Sequence, residues 1–285
     1  MGLTEGFALV KLENVSYTYN IGSPYEKTAL EDINLQFKKG EVTSIIGHTG
    51  SGKSTLIQII AGLLLPTSGS ATVFGADTRE KKKVAAVRGN IGMVFQYPEN
   101  QIFEETVFDE IAFAPKNFGL TGSELEDAVF TAMDNLKIPR EMKDDMPHHL
   151  SGGWKRKIAI ASVLAFKPKL LILDEPTAGL DPFSRRDLLG LIKKMSKDIS
   201  IIFISHYMGE IAEIAQRVIV MNEGEIYADG GAKEILTSEL DKIGLDVSDI
   251  TKLCNSLGKP GIITYNEAKI ALKSYKRENK GSFSP

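Results

Sequence analysis

The stretch that decides the fold is Gly47-His48-Thr49-Gly50-Ser51-Gly52-Lys53-Ser54. It follows the apolar run Val42 to Ile46 and leads into the amphipathic run Lys53 to Ala61, so we predict a strand, a glycine-rich loop and a helix in that order. The glycines allow successive backbone N–H groups to turn toward one anion, and the helix N-terminus adds partial positive charge. This stretch therefore predicts a phosphate-binding loop.

The residues of this loop have distinct expected roles at a bound nucleotide. Lys53 is expected to reach the β and γ phosphates, Ser54 to ligate Mg²⁺, and Thr55 to help with the α phosphate. His48 occupies a free position of the pattern, where it is expected to fill space rather than to do chemistry. The predicted nucleotide-binding set also includes the backbone of Gly47, His48, Thr49, Gly50, Ser51 and Gly52.

A second apolar run, Leu170 to Leu173, ends in two carboxylates, Asp174 and Glu175. Such a strand beside a phosphate loop delivers acid groups to a metal, so Asp174 is expected to hold Mg²⁺ directly or through water. Glu175 faces the other way along a strand and is expected to polarise the attacking water. Together the two stretches predict nucleotide hydrolysis.

Strand-like and helix-like runs alternate through most of the chain, which predicts an α/β fold with a mainly parallel core sheet. Ala8 to Tyr19 and Leu30 to Phe37 alternate apolar with polar residues, as in half-exposed antiparallel strands. Strand signals vanish between Pro98 and Ala165, which predicts an inserted helical subdomain at about 97–165.

The pattern changes again near Gly230, where we expect the main domain, 1–230, to end. Asp246 to Lys276 contains two short helical candidates, so 231–285 is predicted to form a small C-terminal appendage.

Composition excludes several classes of protein. The chain has 285 residues, of which 42% are apolar, so it can bury a full core, but no apolar run is long enough to cross a bilayer. Met1 to Val10 shows no secretory signal, which predicts a cytoplasmic protein. A single cysteine, Cys254, makes no internal disulfide or cysteine zinc site, and a net charge of -3 gives no general attraction to nucleic acid.

Two further stretches, Leu150-Ser151-Gly152-Gly153 and the lone His206 after a predicted strand, complete a set that resembles the ABC-type ATPases. The resemblance implies that Ser151, Gly152 and Gly153 cap a helix whose N-terminus faces the γ phosphate held by a second ATPase subunit. That second subunit is identical or homologous, and two ATP molecules join the pair. It also implies that His206 is the switch histidine, which contacts the γ phosphate.

The same resemblance assigns roles to three other positions. Gln96 matches the glutamine that touches Mg²⁺ and water, and Asp181 matches the loop that crosses the dimer interface. Tyr19 is where the family places an aromatic ring against adenine, with Tyr17 as the less favoured candidate. One position departs from the family pattern, since Trp154 stands where a glutamine usually follows the serine-glycine-glycine turn.

Phe95-Gln96-Tyr97-Pro98-Glu99-Asn100-Gln101, followed by Phe103 to Val107, resembles the ATPases of energy-coupling factor transporters, in particular the second of their two paired ATPases. This resemblance implies a peripheral protein on the cytoplasmic face of the membrane. Its partners would be a second ATPase, a transmembrane coupling subunit and a substrate-binding membrane subunit, with no nucleic acid. We also predict that Glu99 contacts an arginine of the transmembrane subunit, while Tyr97, Phe103 and Phe108 line the same surface or belong to the core.

Two alternative functions are open at this point. One is an ATPase of an ordinary ABC importer with its own permease. The other is a soluble ABC ATPase that acts on nucleic acid or ribosomes, against which stand the lack of a long heptad insertion and of a strongly basic face.

Overall fold

The computed structural model describes residues 8–278. Residues 1–7, which contain most of the stretch searched for a secretory signal, and residues 279–285, the end of the predicted appendage, lie outside the described residues.

In the described part of the chain, ten strands form two sheets. They are β1 Val10–Tyr19, β2 Lys27–Phe37, β3 Val42–Ile46, β4 Ser68–Val73, β5 Ala76–Asp77, β6 Ile91–Val94, β7 Leu170–Asp174, β8 Ser200–Ile204, β9 Arg217–Asn222 and β10 Glu225–Gly231. The antiparallel sheet has the order β2-β1-β4-β5, and the core sheet has the order β10-β9-β3-β8-β7-β6. All neighbours in the core sheet pair in parallel except β9 and β10. The predicted fold class, a mainly parallel core sheet with an antiparallel β portion, is confirmed.

Between residues 8 and 278, ten α-helices accompany these strands. They are α1 Lys53–Ile60, α2 Lys81–Arg88, α3 Val107–Asn117, α4 Gly122–Asn135, α5 Gly152–Leu164, α6 Pro182–Met195, α7 Met208–Ile214, α8 Ala232–Leu236, α9 Asp249–Ser256 and α10 Tyr265–Glu278. Short 3₁₀ helices occur at Pro98–Gln101, Arg140–Asp144, Pro147–His149 and Leu240–Ile243. None of the helices in the described part of the chain is long and apolar enough to cross a membrane.

The alternation of side chains along β7 directs its acidic end. Leu171 and Leu173 pack in the apolar cluster that contains α3, α4 and α5. Leu170 and Ile172 face the opposite side, with α1 and the antiparallel sheet. Because successive side chains of a strand point to opposite faces, Asp174 shares the face of Ile172 and points toward α1. Each of these fully buried side chains contributes about 1.5–3 kcal/mol through removal from water, so the orientation of the strand is strongly determined.

The chain after β10 packs back onto the end of the core sheet. Ile235 and Leu240 join Ile46, Ile211 and Val218 in a third apolar cluster, which ties this segment to β3, α7 and β9. The segment therefore lies close to the strand that leads into the glycine-rich loop.

Candidate active site

The glycine-rich loop connects β3 to α1 and cannot carry side chains at two of its glycines. A Cβ atom at Gly47 would lie 2.3 Å from the carbonyl oxygen of Met221, and one at Gly52 would lie 2.6 Å from the carbonyl oxygen of Ala29. Both residues have positive φ angles, of 150° and 102°. The loop is therefore pressed against neighbouring backbone, and only glycine fits there.

Lys53 folds back over this loop. Its Nζ donates hydrogen bonds to the carbonyl oxygens of Gly47 and His48, both at 2.7 Å. Burial lowers the pKa of Lys53, while the carboxylates of Asp174 and Glu175 act in the opposite direction. The amine therefore lies between the backbone cradle and the acidic end of β7.

Asp174, at the end of β7, is a largely buried carboxyl group whose pKa is shifted upward. Burial raises its pKa to about 6, the charge of Glu175 adds to the rise, and Lys53 opposes it. When a buried carboxyl group is unfavourable to ionise, a nearby cation stabilises its ionised form, because the two charges are opposite. Asp174 is thus suited to hold a positive ion.

Glu175 is held by two other predicted site residues. Gln96 Nε2 donates to Glu175 Oε2 at 2.9 Å, and His206 Nδ1 lies 3.3 Å from Glu175 Oε1. Glu175 lies beyond the end of β7 with φ of 48°, a left-handed conformation that is uncommon for a residue with a side chain. The prediction that strand alternation directs Glu175 is therefore wrong, because a backbone turn does so.

One cavity of about 340 Å³ brings most of the predicted residues together. It is lined by Tyr19, Lys27, Ala29, Thr49, Gly50, Gly52, Lys53, Ser54, Thr55, Gln96, Asp174 and Glu175. The lining offers the glycine-rich loop and the amine of Lys53 together with carboxylate, amide and hydroxyl oxygens. This arrangement suits a phosphate chain that carries a hard cation, because such cations prefer oxygen ligands.

The two tyrosines of β1 differ in their surroundings. Tyr19 lines the cavity, and its hydroxyl lies 3.1 Å from Thr55 Oγ1. Tyr17 packs against the apolar cluster under α1 and contacts Tyr19 edge to face at 4.7 Å. Tyr19 is therefore the one placed at the cavity.

His48 directs its ring away from the cavity. Its Nε2 forms a hydrogen bond with the carbonyl oxygen of Ile243, and a Cβ atom at Gly244 would lie 3.3 Å from the ring. The backbone of His48 stays in the loop while its side chain joins the loop to the C-terminal segment.

The serine-glycine-glycine turn lies apart from this cavity. Ser151 and Gly152 are exposed, and Ser151 and Gly153 line a separate depression of about 190 Å³ with Trp154 and Phe183. Ser151 occupies the N-cap position of α5, but its side chain accepts no cap hydrogen bond. The N-terminus of α5 is therefore free to meet another molecule.

Trp154 is half-buried beside this turn. It packs against the cluster of α3, α4 and α5, and Lys157 Nζ lies 4.9 Å from the centre of its ring. Nearby, Asp181 caps α6 by accepting hydrogen bonds from the backbone N–H groups of Phe183 and Ser184.

Sequence reasoning missed Arg156, which connects three parts of the site. Its guanidinium is 2% exposed and donates to the carbonyl oxygens of Pro176 and Ala178 and to Glu99 Oε1, at 2.9–3.0 Å. Glu99 thus already has an arginine partner in its own chain, so an arginine of a transmembrane subunit is not needed to neutralise it. The available signal was a charged residue on the buried face of α5.

The fold and this cavity define a P-loop nucleoside triphosphate hydrolase. Residues 30–178 match the family described as ABC transporter, and residues 146–212 match one described as an AAA domain, putative AbiEii toxin, Type IV TA system. Energy-coupling factor transporter ATP-binding protein EcfA2 of Caldanaerobacter subterraneus subsp. tengcongensis is 47% identical to this chain, over 95% of this chain and 99% of that protein.

Two solved structures have similar folds. The structure of cbiO1 from Clostridium perfringens, described as part of the ABC transporter complex cbiONQ, has a TM-score of 0.76 and 36% identity, and covers 89% of this chain and 97% of its own. The ATP-binding cassette MJ0796, in a dimeric post-hydrolysis state bound to ADP and Pi, has a TM-score of 0.70 and 28% identity. The match covers 78% of this chain and 98% of the MJ0796 chain. This chain belongs to the ABC transporter family as an ATP-binding protein, and it is an ATPase.

Proposed function

We propose that this chain is the ATP-hydrolysing subunit of an energy-coupling factor importer and drives uptake of vitamins or transition-metal ions through membrane partners. The single observation that carries the hydrolytic part is the position of Glu175, held between Gln96 and His206 at the edge of the cavity that contains Lys53. The importer branch rests on the 47% identity to EcfA2 over nearly the whole chain.

The proposed roles at ATP follow from these positions. Tyr19 stacks on adenine, Lys53 and the loop N–H groups bind the phosphates, and Thr55 reaches the α phosphate. Glu175 orients and polarises the attacking water, while His206 contacts the γ phosphate. Water activation needs an acceptor within hydrogen-bond reach, and the carboxylate of Glu175, whose side chain is 23% exposed, would supply it.

Ser54, Gln96 and Asp174 are the residues that would hold Mg²⁺. All three line the cavity and offer oxygen ligands, and the raised pKa of Asp174 reflects a carboxyl group that a cation would stabilise. When bound, Mg²⁺ neutralises charge that develops on the phosphates.

The exposed turn at Ser151 is proposed to act on ATP bound by a second ATPase subunit. Its support is the free N-terminus of α5, which offers Gly152 and Gly153 N–H groups and a helix dipole to an anion. MJ0796 forms a dimer in its solved structure. We propose the same arrangement here, with residues 231–285 as an appendage that helps to hold the pair.

A groove next to α3 is proposed to receive the transmembrane subunit. Phe103 and Phe113 are 57% and 42% exposed and contact each other at 4.8 Å, beside a depression of about 200 Å³. Phe108 instead packs against the core of α3, α4 and α5. Exposed paired aromatics of this kind are typical anchors of an interface. Docking there would place the chain peripherally at the cytoplasmic face of the membrane.

Glu175→Gln tests the hydrolytic assignment. The variant removes the charge that polarises water but keeps the side-chain shape, so ATP turnover is expected to fall by roughly 10²–10⁴-fold while ATP still binds. Turnover is measured on the complex that a tagged chain retains after gentle detergent extraction. Wild-type turnover in this variant would exclude Glu175 as the base.

The same extraction tests the importer branch. An energy-coupling factor ATPase retains a second ATPase, a transmembrane subunit and small substrate-binding membrane proteins. An ordinary ABC importer would retain a dedicated permease pair instead, and an ATPase of nucleic acid or ribosomes would retain no membrane protein. Either of the last two results would contradict the proposal.

A further inference from the structure

A buried carboxylate lies behind the site and has no role in the assignments above. Glu210, in α7, is 5% exposed, and its Oε2 accepts hydrogen bonds from Thr177 Oγ1 and Ser205 Oγ, both at 2.8 Å. Burial raises the pKa of Glu210, and the two hydroxyl hydrogen bonds oppose that rise. A buried charge is costly unless it is hydrogen-bonded, so packing alone gives no reason for a carboxylate at this position.

The two hydroxyl groups belong to the two loops that carry the chemistry. Thr177 lies two residues after Glu175, in a turn closed by the hydrogen bond from the Ala178 N–H to the Glu175 carbonyl oxygen. Ser205 directly precedes His206, and its Oγ also accepts from the Tyr207 N–H at 3.0 Å. One carboxylate oxygen therefore joins the loop of Glu175 to the loop of His206.

The second carboxylate oxygen faces α6. Glu210 Oε1 lies 3.4 Å from Arg185 Nε, and neither atom forms a hydrogen bond within the described residues. The guanidinium of Arg185 also lies 4.3 Å from the ring of Tyr207. This ion pair balances the buried charge without the directional restraint of the two hydroxyl contacts.

The backbone of Glu175 explains why such a restraint matters. Its left-handed backbone conformation is unfavourable for a residue with a side chain and persists only where the surroundings hold it. The hydrogen bond from Thr177 to Glu210 restrains the turn that follows Glu175, and the bond from Ser205 restrains the residue before His206. Glu175 Oε1 and His206 Nδ1, which are 3.3 Å apart, belong to the two loops that these hydrogen bonds restrain.

We propose that Glu210 is a positioning residue that sets Glu175 against His206 through the hydroxyl groups of Thr177 and Ser205. This inference rests on the proposed roles of Glu175 and His206. It predicts an effect on the chemical step rather than on ATP binding, because Glu210, Thr177 and Ser205 do not line the cavity that contains Lys53.

The test removes each hydroxyl separately in the complex retained by the tagged chain. Thr177→Val and Ser205→Ala are each expected to lower kcat by roughly tenfold or more, since small displacements of reacting groups are costly, with the KM for ATP within about twofold of wild type. Thr177→Ser restores the hydroxyl and is expected to restore most of kcat. Thr78→Val is the matched control, because Thr78 is equally buried and its hydroxyl has no hydrogen bond among the described residues.

Glu210→Leu tests whether the hydroxyl groups of Thr177 and Ser205 act through the carboxylate of Glu210. In that background, Thr177→Val is expected to cause little further loss, because the partner of its hydroxyl is already gone. If Glu210→Leu does not fold, Thr177→Val and Ser205→Ala still test the proposal by themselves. Three results for Thr177→Val and Ser205→Ala would each overturn the proposal. These are a wild-type kcat in both variants, a loss of stability without a fall in kcat, and a rise in the KM for ATP as large as the fall in kcat. Failure of Glu175→Gln to reduce turnover would instead overturn the role of Glu175.

Discussion

Two helix N-termini in this protein have similar chemistry and different surroundings. The N-terminus of α1 follows Gly52 and lies in a cavity with Lys53 and Asp174. The N-terminus of α5 follows Ser151 and lies exposed on the surface, with Gly152 open to solvent. Both offer backbone donors and a partial positive charge. The difference teaches that the first N-terminus lies among other groups of its own chain, whereas the second is exposed to solvent and, in our proposal, meets a nucleotide held by another subunit.

The largest effect should come from breaking the first site. Lys53→Ala removes the amine that lies between the loop and Asp174, so ATP turnover is expected to fall by roughly 10³-fold or more, with weaker ATP binding. Turnover and nucleotide affinity are measured on the purified complex. Lys11→Ala is the control, because Lys11 lies on β1 and pairs with exposed Glu13. Turnover near the wild-type level in Lys53→Ala would contradict the assignment.

Breaking the second site should separate binding from turnover. Gly152→Asp places a negative charge at the N-terminus of α5, and a Cβ atom there meets no other atom within 4 Å, so the fold is expected to survive. ATP binding by the single chain is expected to persist, while turnover falls by roughly 10²-fold because the neighbour's γ phosphate is repelled. Sedimentation with ATP measures pairing. Gly190→Asp, at another open glycine, is the control, and unchanged ATP-driven pairing in Gly152→Asp would count against action in trans.

A smaller effect is expected on the free energy of unfolding, because the first site contains the buried carboxyl group of Asp174. Asp174→Asn removes a carboxyl group whose pKa is raised from 3.8 to about 6. Each pKa unit corresponds to about 1.4 kcal/mol, so after screening by solvent we expect the nucleotide-free variant to gain about 1–2 kcal/mol of unfolding free energy at pH 7.5. Urea unfolding in EDTA measures this.

The sign of the pH dependence follows from the raised pKa. The ionised form of Asp174 is the costly one, so the gain in Asp174→Asn is full above about pH 6 and disappears as pH falls toward 3.8. Asp187→Asn should show the opposite sign at pH 7.5, because the hydrogen bond from Lys157 lowers the pKa of Asp187. If Asp174→Asn and the wild type are equally stable at pH 7.5, ionised Asp174 does not destabilise the folded chain and the prediction is wrong.

The smallest expected effect is a change in tryptophan emission, which tests the second site, at the N-terminus of α5. Trp154 is the only tryptophan and lies beside Ser151, so its emission is expected to change when two subunits close around ATP. The measurement uses ATP added to Glu175→Gln, which retains the nucleotide. The same addition to a Glu175→Gln chain that also carries Gly152→Asp should leave emission unchanged. An unchanged signal in Glu175→Gln itself would place Trp154 away from the interface.

Local patterns were enough to predict the first site. β3, the loop and α1 are contiguous, and the end of β7 was recognisable from its carboxylates, because each depends on neighbouring residues in the chain. The strands β9 and β10 were not predicted, since the short run Val218 to Met221 carries no periodicity that distinguishes a strand from a buried helix segment. The position of Glu175 was anticipated for a wrong reason, because its left-handed turn has no signal in a run of aliphatic residues.

Contacts across long sequence separations could not be predicted. His48 reaches the carbonyl oxygen of Ile243, and Arg156 reaches Glu99. A single sequence shows only that such residues are polar, because pairing depends on which elements meet.

The sequence by itself determined the class of protein and predicted its phosphate loop and its acid groups, because those depend on residue type and on spacing within single segments. The tertiary structure decided which groups meet. It placed Glu175 between Gln96 and His206, left Ser151 on the surface and enclosed the carboxylate of Glu210. The physical reason is that side-chain chemistry is encoded locally, whereas distances and burial arise only when separate strands and helices pack against one another.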